Sequence, residues 1–209
     1  MYSRLIEQLS KRLTMTLPSA LAHDPLRAIP IGNETPIFKH SLPPRPGSVL
    51  ILLYEAEESI KFPLIRRQEY MGVHSGQISL PGGKAEPGED AIETALREAR
   101  EEIGIDPARV KVVGRLSEFY VIVSNFLVTP VVASVLETPA FTPDPYEVHS
   151  IFQADLHELV RDDAIQVEEI MAGGRYRMQA PHFKVQNQIV WGATAMMLNE
   201  LRLVVKEIM

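Results

Sequence analysis

Residues 89–104, EDAIETALREAREEIG, admit few structures other than a helix. At about 100° per residue, Ile92, Ala95, Leu96, Ala99 and Ile103 fall in one narrow stripe that must be buried. Gly104 ends the pattern as a C-cap. Such a helix needs an apolar layer to lie on, so it commits the rest of the chain to supplying one. Its other side is less ordinary. Glu98, Glu101 and Glu102 sit at i, i+3 and i+4 on a separate arc roughly 100° wide. Like-charged neighbours at that spacing cost roughly a few tenths of a kcal/mol per pair. The crowding points to a counter-ion; the competing reading is a solvated acidic face partnered by Arg97 and Arg100.

The apolar layer is legible as strands. SVLILLYE (48–55) is a buried-strand run, and KFPLIRR (61–67) is its partner across the AEES turn. QISLPGG (77–83) gives a short strand broken into a loop. VKVVGRL (110–116), FLVTPVVASVL (126–136), and segments near 164–171 and 174–179 also read as strands. A short helix is expected near 154–160 and a long one over 188–209, with Trp191 in the core. Near the N-terminus, Leu5, Ile6, Leu9 and Leu13 line one side of an amphipathic helix, an extension over about 3–17 that caps the core. The stretch 18–47 is proline-rich and aperiodic; LPPRPG (42–47) cannot be helix or central strand, because proline lacks the N–H. Without repeats or a low-complexity linker, 1–209 reads as one domain. Strands and helices interleave without a strict βαβ rhythm, which favours an α/β arrangement with a mixed sheet between helical layers.

Charge and cysteine content narrow the function classes. A net charge of −6 and no basic tract argue against nucleic acid as a partner. No apolar run approaches the roughly 18 residues of a membrane span, so no membrane partner is expected. Cysteine is absent, which removes disulfides, thiolate ligands and cysteine nucleophiles and fits a reducing, cytoplasmic setting.

Three carboxylates on one rigid patch suit a hard divalent cation such as Mg²⁺, which takes oxygen ligands and keeps several waters. The loop ahead of the helix strengthens that reading. Gly82 and Gly83 allow close backbone approach. Five residues separate Gly83 from Glu89, and seven more lead to Arg97 and Glu98. Then follow Ala99, a variable position, Glu101, Glu102, another variable position, Gly104 and Ile105. This pattern, G-x5-E-x7-R-E-U-x-E-E-x-G-U with U apolar, resembles the signature box of the Nudix hydrolases at every fixed position. The resemblance implies a Nudix-type α/β/α sandwich and Mg²⁺- or Mn²⁺-dependent hydrolysis of a nucleoside diphosphate linked to another moiety. It implies Glu98 and Glu102 as principal metal ligands and Glu101 as a supporting one. Glu89 and Arg97 would be an ion pair fixing the loop to the helix. Gly82 and Gly83 would bend the loop so that a backbone carbonyl also reaches the metal.

Upstream, PLIRRQEYMGVHSGQISLPGGK (63–84) resembles the segment before the box in the coenzyme A pyrophosphatase branch, through Arg67, His74, Gly76, Gln77 and Pro81-Gly82-Gly83. The branch tends to carry a serine soon after the arginine and a basic residue two before the histidine, where this chain has Gln68 and Gly72. The expected substrate is therefore coenzyme A or an acyl-coenzyme A. ADP-ribose or another nucleoside diphosphate conjugate is the alternative, and a non-catalytic nucleotide sensor a third reading. Arg67 and His74 are candidate substrate contacts; for a lone histidine, a turn or packing role is the plainer reading. Ser124 and Phe126 are candidates to line a pocket for the adenine or pantetheine arm, or else simply to end a strand. For the general base, Glu147, in a loop before an apolar strand, ranks just ahead of Glu101. A small-molecule nucleotide is the expected partner, and a homodimer is left open.

Overall fold

The computed structural model describes residues 2–32, 35–69 and 75–209. Strand β2 (Arg45–Ala56) is the spine of the molecule, and β1 (Ile29–Pro30) precedes it. β3 (Ser59–Arg67) folds back on β2 through a two-residue turn in which Glu57 and Glu58 both have positive φ. β4 (Ile78–Ser79) and β5 (Gly82–Lys84) follow, then the acidic helix. β6 (Lys111–Arg115), β7 (Phe119–Val121), β8 (Phe126–Ser134) and β9 (Val148–Asp155) complete the main sheet. Its order is β4-β3-β2-β8-β6, with β5 on β2, β7 on β8 and β9 on β3. β2 and β8 pair in parallel over nine positions while the other pairs are antiparallel, so the sheet is mixed, as expected. A parallel pair needs a crossover connection, and the acidic helix lies within it.

Both faces of β2 are covered, which is why its sequence is continuously apolar rather than alternating. Leu50, Leu52 and Tyr54 pack on one face against Ala95, Ala99 and Ile103. Ile51 and Leu53 pack on the other with residues of the N-terminal helix α1 (Tyr2–Arg12) and the C-terminal helix, among them Leu5, Leu9, Leu198 and Leu201. The result is an α/β/α sandwich. Short α2 (Ala20–His23) lies between α1 and β1. The acidic helix is α3 (Ala91–Ile103), capped at its start by a reciprocal Asp90–Glu93 box and at its end by Gly104 in the left-handed region (φ 74°). After β9 come α4 (Leu156–Val160), β10 (Ile165–Ala172), β11 (Tyr176–Val185), β12 (Gln188–Trp191) and α5 (Gly192–Lys206). β10, β11, β12 and β1 form a second, four-stranded antiparallel sheet.

Several boundaries differ from the sequence reading. The segment 188–191 is strand, not helix: Gln186 and Asn187 take positive φ, closing a hairpin in which Val185 faces Gln188. β11 accordingly runs on to Val185. β2 begins at Arg45 and contains Pro46, opposite Leu127; the missing donor falls at the start of the ladder, where it is tolerated. α1 stops at Arg12, although Leu13 is still buried. β7, too short to show a period, was not anticipated. No helix among the described residues is long and apolar enough to cross a membrane.

The N-terminal segment is tied down by Glu200 of α5, which is fully buried. Its carboxylate accepts from the Ser19 amide (2.7 Å), the Ser117 amide (3.0 Å) and the Ser117 hydroxyl (2.6 Å), with His23 Nε2 at 3.4 Å. Burial pushes this acid up, but the His23, Ser117 and Ser19 donors outweigh it and hold it below the ordinary range. A lowered carboxylate stabilises the fold above its unfolded pKa and loses that contribution as pH falls through the folded value. Glu200→Gln, which places an amide against these donors, is expected to cost about 1.5–3 kcal/mol in urea unfolding at neutral pH. The deficit should narrow in acid. An unchanged midpoint at pH 7 would show that the network contributes nothing.

Candidate active site

The site grows from the contact between β5 and α3. β5 pairs with β2, placing Gly83 opposite Ser48 and so on the α3 side of the sheet. A Cβ on Gly83 would lie 2.5 Å from the Glu98 carboxylate, so any side chain there would displace that acid. Gly82, at φ 151° and with its Cβ position 2.2 Å from the Ser48 carbonyl oxygen, is equally confined to glycine. Its amide donates to Glu102 Oε2 at 2.8 Å. The loop expected to present a carbonyl to a metal thus shows an amide on Glu102, and the Gly83 carbonyl lies against Gly47.

The three acids of the arc separate in environment. Glu102 is 1% exposed and Glu98 half-buried, whereas Glu101 is exposed. Burial pushes Glu102 up to about 7; the Gly82 amide and Arg67 oppose the shift, and the Glu98 and Glu147 carboxylates reinforce it. Arg67 Nη1 stands 3.6 Å from Glu102 Oε1. Burial also raises Glu98, against the pull of Arg97 and with added repulsion from Glu101 and Glu147. The electrostatics therefore bring Glu147 into the same group as Glu98 and Glu102, although it is exposed.

Arg97 is the fastening of the loop. Its Nε and Nη2 reach Glu89 at 2.7 and 3.1 Å, Nη2 also meets the Lys84 carbonyl at 2.9 Å, and Nη1 meets Glu98 and Glu101 at 2.9 Å each. Glu89 in turn accepts from the Glu86 amide and the Thr94 hydroxyl. Arg97, followed by these other donors, holds Glu89 down at about 2. The expected ion pair between loop and helix is present in this geometry.

Other sequence candidates fall elsewhere. Phe126 packs toward the α1 and α5 side of β2, its ring against Gly47 and 4.2 Å beneath the Arg45 guanidinium. Ser124 lies in the turn before it, and its carbonyl accepts from Arg45. The structure does not bring either to the carboxylates. Arg66 pairs with Glu69. His74 and Gly72 lie outside the described residues. Sequence reading gave no role to Asp144 and Gln68, which hold the turn bearing Glu147; the only local sign was the turn-forming DPYE itself.

As a donor set, the group fits a hard divalent cation: every ligating atom is oxygen, and one carboxylate is buried and another half-buried where ionisation needs positive charge nearby. Glu98 and Glu102 would hold it. Among the described residues no three acidic or imidazole groups are already gathered into a cage.

The NUDIX domain, as a family profile, matches residues 44–172, more than half of the chain. The chain belongs to the Nudix family. Nudix hydrolase 22, chloroplastic, of Arabidopsis thaliana is 37% identical over 165 residues, covering 74% of this chain and 53% of that protein. NudL of Yersinia enterocolitica is 36% identical over 140 residues, covering 66% of this chain and 70% of that one. The chain spans little more than half the length of the plant relatives it matches. RenU, a Nudix hydrolase from M. Smegmatis, superposes with a TM-score of 0.56 at 16% identity, over 80% of this chain and 89% of that one. This agreement supports the Nudix fold.

The Glu102 environment has a sign that can be measured without substrate. A carboxylate raised from an ordinary 4.5 to about 7 is more protonated folded than unfolded between those values. Stability of the metal-free protein is therefore lost through this group as pH rises from 4.5 to 7. In excess EDTA, Glu102→Gln should melt higher than wild type at pH 7.5, with the advantage shrinking toward pH 5. Equal melting temperatures across that range would remove the buried charge from the account.

Proposed function

We propose that the chain is a divalent-cation-dependent hydrolase of diphosphate bonds, carried by one unit spanning 1–209. Its proposed substrate is coenzyme A or an acyl-coenzyme A, cleaved to 3′,5′-adenosine bisphosphate and (acyl-)phosphopantetheine. The observation that carries the reaction class is the pairing of half-buried Glu98 and buried Glu102 against Gly83 and Gly82, in a chain of the Nudix family. An anionic diphosphate would be repelled by these acids and by a net charge of −6. A cation of the Mg²⁺ or Mn²⁺ type supplies the missing charge and a more acidic water.

The chain's own residues divide the remaining work. Glu98 and Glu102 hold the ion, with Glu101 in support while it also pairs with Arg97. Arg97 and Glu89 keep the loop registered on α3. Arg67 meets a substrate phosphate, and Glu147 takes the proton from the attacking water, with Glu101 as its substitute. The coenzyme A preference is supported by Arg67, Gly76, Gln77 and the Pro81-Gly82-Gly83 run. A cytoplasmic location belongs to the same reading, supported by the lack of cysteine and the bacterial relatives; two plant relatives carry organellar names.

A substrate panel with Mg²⁺ tests the proposal. Coenzyme A should exceed dephospho-coenzyme A in kcat/KM by about ten- to a hundredfold, the reward for one charge-assisted pair to the 3′-phosphate. It should also exceed ADP-ribose; the reverse order would transfer the chain to the ADP-ribose class. Glu102→Gln should abolish turnover, as should EDTA with wild type. No turnover of any diphosphate substrate would leave a nucleotide-binding role.

The role of Glu147 is separable by titration. As the base, Glu147→Gln lowers kcat by about 10²–10⁴ with little change in the Mg²⁺ dependence. Recovery of rate at high Mg²⁺ would instead identify a metal ligand. A kcat within a few-fold of wild type would return the task to Glu101.

A further inference from the structure

Glu147 is an exposed acid in an irregular segment, yet its surroundings are built in detail. The segment 137–147 runs from the end of β8 past the C-terminus of α3. Phe141 packs edge-on against the buried Tyr54 ring, 5.6 Å between centroids. The Thr142 amide then donates to the Ile103 carbonyl (2.9 Å) and the Asp144 amide to the Glu102 carbonyl (3.0 Å). These are carbonyls a helix end leaves without intrahelical partners, so the segment completes α3.

Asp144 then turns the chain. Its carboxylate Oδ1 accepts from the Tyr146 amide at 2.8 Å and the Glu147 amide at 3.2 Å, and its carbonyl accepts from the Val148 amide at 2.9 Å. On the opposite side, Gln68 closes the turn. Its side chain Nε2 donates to the Pro145 carbonyl at 2.8 Å, and its amide donates to the Glu147 carbonyl at 3.1 Å. Arg67, adjacent to Gln68, faces Val148 across the β3–β9 ladder and reaches Glu102. The turn is thus fastened both to the helix residue that carries the buried acid and to the strand end that carries the arginine.

We propose that Asp144, assisted by Gln68, is the positioning residue that sets Glu147 relative to Glu102. The inference rests on the proposed role of Glu147 and adds to it the device that makes an exposed loop acid a fixed one. One backbone unit, Asp144, bonds the Glu102 carbonyl through its amide and the Glu147 amide through its side chain. The spacing of the two acids is therefore set by these two hydrogen bonds rather than by loop chance. Gln68 supplies a side chain long enough to reach Pro145.

The test compares Asp144→Ala, Asp144→Asn and Gln68→Ala in the chain of residues 1–209, each with and without Glu147→Gln. Asp144→Ala should lower kcat about ten- to a hundredfold, the scale of an ångström-sized misplacement, with KM within a few-fold. Asp144→Asn keeps the acceptor oxygen and should recover most of that loss. In the Glu147→Gln background, Asp144→Ala should cost nothing further. Equal losses in both backgrounds would overturn the proposal, because Asp144 would then act through α3 or the fold at large. So would a wild-type kcat for Asp144→Ala. Amide exchange by NMR decides independently of turnover: Asp144→Ala should expose the Tyr146 amide, whose partner is the Asp144 carboxylate, while Leu52 and Val132 stay protected; the Glu147 amide keeps a second bond to the Asp144 carbonyl. Unchanged protection at 146 overturns the proposal, whereas failure of wild type to hydrolyse coenzyme A or ADP-ribose with Mg²⁺ overturns the proposed reaction and leaves the exchange result standing.

Discussion

The hydrogen bond from the Gly82 amide to Glu102 is the contact on which the site depends. A carboxylate with 1% exposure needs more compensation than one amide supplies. The rest of the arrangement follows from that deficit. A helix bearing an inward acid must be met by backbone rather than side chain, which requires glycine at both 82 and 83. Two glycines in sequence make a poor strand unless they are paired, and β5 is held by β2 over three registers. Arg67 then arrives from the end of β3 to share the charge. What is left of the deficit appears as the raised pKa of Glu102 and supplies the demand for a cation.

Helical periodicity explains why Glu98 and Glu102 turn toward the glycine loop and Glu101 toward solvent. Residues four apart stack on one side of a helix, whereas Glu101 is rotated about 100° from Glu102. That rotation carries Glu101 out to solvent, within reach of the guanidinium of Arg97 one turn back. The same geometry brings Glu98, one residue on from Arg97, under Gly83. Charge crowding read from the sequence as one patch is therefore one buried acid, one half-buried acid and one exposed partner of an arginine.

The sequence disclosed what local patterns control. The apolar stripe of α3, the continuous apolar run of β2 and the glycine at 104 each state their own structure, and all three stand where expected. The family resemblance carried by residues 83–105 also implied the ion pair of Glu89 with Arg97, because a local motif encloses both residues. Features made by distant pairing were less legible. Gln188 to Trp191 are apolar enough to join α5, and only the partnership with β11 makes them strand. Phe126 reads as pocket lining or as a plain strand end alike until the face of β8 it occupies is known. Asp144 is silent in sequence because its meaning lies in the Glu102 carbonyl and the Gln68 side chain, 42 and 76 residues away. The short DPYE segment shows only that a turn occurs.

The two guanidiniums beside the acids differ in the freedom left to them. Arg97 makes five hydrogen bonds, to Glu89 twice, the Lys84 carbonyl, Glu98 and Glu101. Moving it toward a substrate would break the fastening of loop to helix and unseat Glu98 from Gly83. Among the described residues Arg67 has one looser pair, at 3.6 Å to Glu102, and is 29% exposed. Its attraction to Glu102 is the kind that a divalent cation replaces, since both neutralise the same carboxylate. Under the proposed function the two positive groups are therefore coupled: a cation on Glu102 releases the arginine, and a released arginine has an anionic diphosphate as its nearest alternative. Positive charge of fixed position holds the loop, and positive charge of adjustable position is left to meet the substrate.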